Sequence, residues 1–188
     1  RSLGVAYLLL ILCAGVSLSQ AETKPSMIRV EPGVFVQGSA KQEPGRFDNE
    51  RPFAASLPYT LWVGSTEVTQ SQWLKYVKHN PSFFGACGGS CPVDSVNWYE
   101  SLAYANLRSE AESRVACYQL DGCVGTLGSI CGGKSSRLAS CEGEYHCKVV
   151  NHTMESCDGY RLLTESEWEY VARAGLVDAH YAVEENQL

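Results

Sequence analysis

The chain has 188 residues, of which 45% are hydrophobic and 19% charged, and its formal net charge is −6. This length and composition are typical of one globular domain and leave little room for a second one. The 15 lysine and arginine residues are spread along the chain, so the sequence predicts no nucleic acid partner.

The first 21 residues predict an export signal. The stretch RSLGVAYLLLILCAGVSLSQA has a basic start, an apolar run to about Val16, and small residues at Ser19 and Ala21. This order is typical of a signal peptide cleaved before Glu22. A membrane anchor is the alternative, but the apolar run is shorter than the ~18 residues that usually span a bilayer. We expect a secreted or periplasmic protein with no membrane contact after cleavage.

Short strands and a loop are predicted before the first helix. MIRVEPGVFVQGS carries a Pro-Gly turn between two β-prone runs, which predicts a hairpin from about Ile28 to Gln37. The polar stretch SAKQEPGRFDNERPF predicts a loop, and a further strand is expected around Tyr59 to Val63.

Three helices are predicted from their first residues. Each begins with a capping residue followed three positions later by Gln or Glu: Thr69 with Gln72, Asn97 with Glu100, and Thr164 with Glu167. The first helix should end near His79, and the third should run from about Glu165 to Ala174. We expect three helical tryptophans to face the core, with Val68 and Leu163 packing against the first and last of them: Trp73, Trp98 and Trp168.

Eight of the nine cysteines follow the predicted signal peptide. An even number of cysteines in an exported chain predicts disulfide bonds, although the sequence leaves their pairing open. Zinc is the alternative, because two of them have finger-like spacing, but no second short pair follows. The stretch from Cys117 to Cys157 has little hydrophobic periodicity, which predicts an insertion held by disulfides with few regular elements. The disulfide candidates are Cys87, Cys91, Cys117, Cys123, Cys131, Cys141, Cys147 and Cys157.

Several stretches stand in one order along the chain: VEPGVFVQGS, NERP, EVTQSQW, PVDSVNWYESLAYAN and YRLLTESEWEYVARAG. Together they resemble the formylglycine-generating enzyme family, also called the sulfatase-modifying factor family, and within it a secreted bacterial, cysteine-rich branch. The resemblance covers about Met27 to Gly175. Departures from the usual motifs are Leu163 for proline, Val171 for alanine and Gln37 for methionine.

The resemblance implies an α+β fold related to C-type-lectin-like domains, with little regular secondary structure. We expect a partial domain at residues 22–188, incomplete at its C-terminus, with a cysteine-rich insertion at 117–157. In the family, a copper-binding catalytic cysteine pair and calcium ligands follow the last matched segment, so copper and calcium are implied for a part outside this sequence. We therefore assign no catalytic, cofactor-binding or metal-ligating residue.

The resemblance leaves two functions open. One is oxidation of a cysteine in a protein substrate to formylglycine; the other is a non-catalytic module that binds protein or polysaccharide on the same fold. A third branch, the iron-dependent sulfoxide synthases, requires a histidine cluster that the four histidines do not form. Arg161 and Glu167 could look catalytic, but Glu167 belongs to a capping box and we expect Arg161 to form a structural ion pair.

Overall fold

A computed structural model describes residues 27–43, 45–129, 143–153 and 156–174. The predicted signal peptide, Cys131, Cys141 and Gly175 lie outside these residues. The described chain is α+β, as expected. Its strands are β1 (Met27–Val30), β2 (Gly33–Gln37), β3 (Phe53–Leu57), β4 (Leu61–Gly64), β5 (Tyr118–Asp121) and β6 (Val149–His152), and its helices are α1 (Gln70–Tyr76), α2 (Trp98–Ala111) and α3 (Glu165–Arg173).

The strands form three antiparallel ribbons, β1–β4, β2–β3 and β5–β6. The predicted hairpin from Ile28 to Gln37 is therefore wrong, because β1 and β2 pair with different strands. Only Glu31 and Pro32 lie between them. A two-residue hairpin needs a positive φ at a central position, whereas proline holds φ near about −65°. Strand β3 was missed because its centre, Ala-Ala-Ser, has weak strand propensity.

The capping boxes at all three helix starts are confirmed. In each, the capping side chain accepts the backbone N–H three residues on, and the Gln or Glu at that position accepts the N–H of the capping residue. Helix α1 ends at Tyr76, three residues before the expected end. The chain beyond it turns back, because Trp73 Nε1 donates a hydrogen bond to the His79 carbonyl at 2.9 Å.

The main apolar cluster joins α1 to α2. Trp73 is 1% exposed and stacks on Tyr104 with ring centroids 5.2 Å apart. Val77 completes the cluster and Val68 packs against it, as the sequence predicted for the residue before the α1 cap. These contacts fix the start of α1 against the middle of α2.

Two of the three tryptophans expected in the core face outward. Trp98 is 53% exposed and Trp168 is 62% exposed. Helix α3 instead buries Glu167 and packs Tyr170 against Phe35 of β2, with ring centroids 5.2 Å apart. The prediction was wrong because it assumed that the apolar side of α3 faces the core. The buried side of α3 instead carries Glu167, whose carboxylate is neutralised by an ion pair.

The cysteine-rich insertion contains the β5–β6 ribbon. The Cys117–Cys157 disulfide closes the base of the ribbon, and Cys123–Cys147 joins its other end. Asn106 of α2 attaches the ribbon to the helix: its amide donates to the Tyr118 carbonyl at 2.7 Å and accepts the Tyr118 N–H at 3.2 Å. No helix in the described part of the chain is long and apolar enough to cross a membrane.

Candidate functional site

The last matched motif is organised around a buried ion pair. The two terminal guanidinium nitrogens of Arg161 each donate to one carboxylate oxygen of Glu167 at 2.6 Å. The Thr164 N–H and the Tyr59 hydroxyl also donate to this carboxylate, at 2.8 and 2.7 Å. The Glu167 side chain is only 3% exposed, and four donors occupy its oxygens. Arg161 thus forms the expected structural ion pair.

The electrostatics agree with this geometry. Burial alone would raise the pKa of Glu167, but the hydrogen bonds from Arg161, Thr164 and Tyr59 outweigh it and lower the pKa from 4.5 to about 2. The same contact raises the pKa of Tyr59, chiefly because its hydroxyl donates to the carboxylate. A carboxylate with so low a pKa is a poor general base near neutral pH.

The start of the same motif packs directly on α2. A Cβ at Gly159 would lie 2.5 Å from Ser109 Oγ and 2.5 Å from the Val115 carbonyl oxygen, so only glycine fits there. The hydroxyl of Ser109 accepts the Tyr160 N–H at 2.7 Å. These contacts require a glycine immediately before the motif.

A cleft of about 470 Å³ lies beside this contact. Its apolar side includes Trp62, and its polar side includes Arg108, Arg114, Tyr160 and Arg161. Each of these arginines has a partner, because Arg108 pairs with Glu112, Arg161 with Glu167, and Arg114 donates to the Asp158 carbonyl. The cleft therefore offers an exposed indole beside arginines that already donate hydrogen bonds within the chain.

A second cleft of about 390 Å³ lies between α3 and the segment that contains the NERP motif. Phe53 and Trp168 contribute exposed rings to it. Its floor is fixed, since Glu169 accepts the Gly38 N–H at 2.8 Å and Arg173 donates to the Gly38 carbonyl at 2.8 Å. Both clefts have a hydrogen-bonded base and aromatic rings at the edge.

A second buried carboxylate joins α2 to the insertion. Glu100 is 0% exposed. It accepts the Asn97 N–H at 2.8 Å and the Gly128 N–H at 2.9 Å. Burial raises the pKa of Glu100. The two backbone N–H donors explain how the carboxylate is held in this buried position.

The six described candidate cysteines form three disulfides, Cys87–Cys91, Cys117–Cys157 and Cys123–Cys147. A cysteine in a disulfide offers no thiolate, whereas copper(I) selects soft thiolate ligands. Among the residues that the structure describes, no three His, Cys, Asp or Glu side chains come together to hold a metal ion. The six described cysteines therefore offer no thiolate pair for copper.

Sequence reasoning missed two residues that organise the site. The Tyr59 hydroxyl donates to Glu167, which lies 108 residues away in the sequence, so no local pattern predicts this contact. The contact of Asn106 could have been predicted, because Asn106 interrupts the apolar side of α2. A buried side-chain amide in such a position often forms hydrogen bonds with backbone groups.

The chain is similar to known proteins over most of its length. A family model described as sulfatase-modifying factor enzyme 1-like domain matches residues 14–188. Chaperone protein LppX of Paenibacillus barcinonensis is 30% identical over 174 residues, which are 90% of this chain and 55% of that protein. The solved structure of Treponema denticola variable protein 1 is similar with a TM-score of 0.58 and 25% identity, over 86% of this chain and 56% of the other. The chain spans about half the length of both relatives.

Proposed function

This chain belongs to the sulfatase-modifying factor enzyme 1-like family, and on that premise we propose that it is an exported member which binds other polypeptides rather than oxidising them. Its α+β fold is that of the family and is related to C-type-lectin-like domains. Because one fold hosts many functions, the role is argued from the chain's own surface.

The observation that carries this proposal is the position of the tryptophans. All four lie in the described part of the chain, and three are more than half exposed: Trp62 at 57%, Trp98 at 53% and Trp168 at 62%. Tryptophan is usually well buried in a folded domain and is enriched at the centres of binding interfaces. Two of these rings lie at clefts with fixed floors, as a binding surface requires.

The comparisons favour a polypeptide ligand over a polysaccharide. The relative from Paenibacillus is named a chaperone protein, and a chaperone acts on other polypeptides. The three disulfides support an oxidising compartment outside the cytoplasm, which agrees with the signal peptide expected from the sequence.

Equilibrium binding to a chemically defined ligand tests the proposal. The full chain, with its disulfides intact, is titrated into a fluorescently labelled, permanently unfolded polypeptide such as reduced and carboxymethylated lactalbumin, and anisotropy is measured. We expect saturable binding that Trp62→Ala and Trp168→Ala weaken. Binding to a soluble polysaccharide panel, with none to the polypeptide, would refute the proposal.

A second candidate is cysteine oxidation, which the description of the family model favours because it names an enzyme. Its thiolate pair would come from outside the described residues. The test incubates the protein with copper, oxygen, a thiol reductant and a cysteine-containing peptide, and follows conversion of the thiol to the formylglycine aldehyde by mass spectrometry. Aldehyde above a no-protein control would establish the oxidase and replace the binding proposal.

A further inference from the structure

Two adjacent phenylalanine rings project from the segment between α1 and α2. We name residues 80–94 the Phe loop. Phe83 is 75% exposed and Phe84 is 65% exposed. Their rings meet edge to face, with centroids 5.0 Å apart and planes at 89°. A ring pair of this kind presents two different faces to solvent, which suits it to enter an apolar pocket.

The backbone beneath the rings is held from one side by Asp94. Its two carboxylate oxygens accept the N–H groups of Phe83 and Phe84, at 2.8 and 3.2 Å. The Asp94 N–H in turn donates to Ser82 Oγ at 3.2 Å. One side chain thereby fixes both residues that carry the rings.

The loop is held on its other side by α1. Gln70, which is 2% exposed, donates from its amide to the Phe84 carbonyl at 3.3 Å and accepts from Asn80 at 2.8 Å. The Cys87–Cys91 disulfide closes the remainder of the loop, and the Cys91 carbonyl accepts the Gln70 N–H at 2.9 Å. The exposed rings thus stand on a loop that hydrogen bonds and a disulfide hold from both sides.

We propose that the Phe loop is the principal contact for an apolar segment of the bound polypeptide, an inference that rests on the proposed function. Rigid aromatic anchors bind tightly because little conformational freedom is lost when they become buried. The loop contains one charged residue, Asp94, and no lysine or arginine. A lipid-binding loop would place cations beside its aromatic rings to attract anionic headgroups, so the charge pattern favours polypeptide over membrane.

The test compares three variants in the anisotropy assay with the unfolded polypeptide. Phe83→Ser/Phe84→Ser removes both rings, and we expect affinity to fall at least tenfold. Phe47→Ser is the matched control, because this ring is 71% exposed and lies outside the loop; we expect less than a twofold change. Cys87→Ser/Cys91→Ser keeps the rings but releases the loop, so affinity should fall several-fold.

The outcomes separate this inference from the proposed function. If the wild-type chain binds and the double phenylalanine variant binds equally well, the contact lies elsewhere and only the Phe loop is refuted. If the wild-type chain does not bind, the proposed function fails and this inference fails with it. Binding of the wild-type chain to phospholipid vesicles through the same rings, measured by sedimentation, would also overturn the inference. Photocrosslinking from p-benzoylphenylalanine at position 84 should reach the polypeptide; crosslinks confined to the chain itself would contradict it.

Discussion

The buried ion pair of the last motif predicts a large and pH-dependent effect on stability. Arg161→Met leaves the Glu167 carboxylate 3% exposed with its strongest partner removed. Breaking one side of a buried pair typically costs about 3–5 kcal/mol, because the remaining charge stays desolvated. We expect the free energy of unfolding at pH 7 to fall by that amount, measured by urea denaturation with tryptophan fluorescence.

The pH dependence has a definite sign. The pKa of Glu167 is lower in the folded chain, about 2, than the ordinary 4.5, so the folded state favours the ionised carboxylate. This contribution is fully present above about pH 4.5 and is lost as the pH falls toward 2. A depression of this size corresponds to about 3 kcal/mol. The stability difference between the wild-type chain and Arg161→Met should therefore narrow at acidic pH.

An exposed pair provides the matched control. Arg29 and Glu31 also form an ion pair, but their side chains are 51% and 61% exposed. Arg29→Met should change the free energy of unfolding by less than about 1 kcal/mol. If Arg161→Met costs no more than Arg29→Met, or if its effect does not vary between pH 7 and pH 3, the carboxylate is not buried as described and the reasoning is refuted.

Three further predictions concern the stability of the core and of the β5–β6 ribbon. Trp73→Ala should lower the free energy of unfolding by about 3–5 kcal/mol, and Trp168→Ala by less than about 1, in urea denaturation; the reverse order would place the core at α3. Asn106→Leu removes both hydrogen bonds to the first residue of β5 and should cost about 2 kcal/mol or more, with faster hydrogen exchange of that amide; unchanged exchange would contradict it. Cys117→Ala/Cys157→Ala opens a 40-residue loop and should cost about 4 kcal/mol, seen as a lower Tm; an unchanged Tm would contradict this role.

The features that the sequence predicted correctly are local. Thr69, Asn97 and Thr164 each exchange side-chain-to-backbone hydrogen bonds with the residue three positions on, so the pattern contains the whole interaction. The family motifs were equally readable, because each is a short run of residues whose order is visible in the sequence itself. Short-range chemistry is therefore enough to place the helices and to indicate the fold.

The features that the sequence did not predict depend on distant partners. Strand β1 pairs with β4 across more than thirty residues, so the Pro-Gly turn signal beside it was misleading. The face that α3 buries is decided by Arg161 and by Tyr59, which lies 108 residues from Glu167. The pattern of apolar residues along one helix contains no information about either contact.

Helix α3 links the stability of the fold to the exposure of an aromatic side chain. Its carboxylate at Glu167 is buried while its indole at Trp168 is exposed, the reverse of the usual arrangement. The arrangement is stable only because Arg161, Thr164 and Tyr59 satisfy the carboxylate. With Glu167 fixed inside, the neighbouring tryptophan must point outward, to the edge of the second cleft. The ion pair thus helps to set the orientation of an aromatic ring that takes no part in the core and that the proposed binding would use.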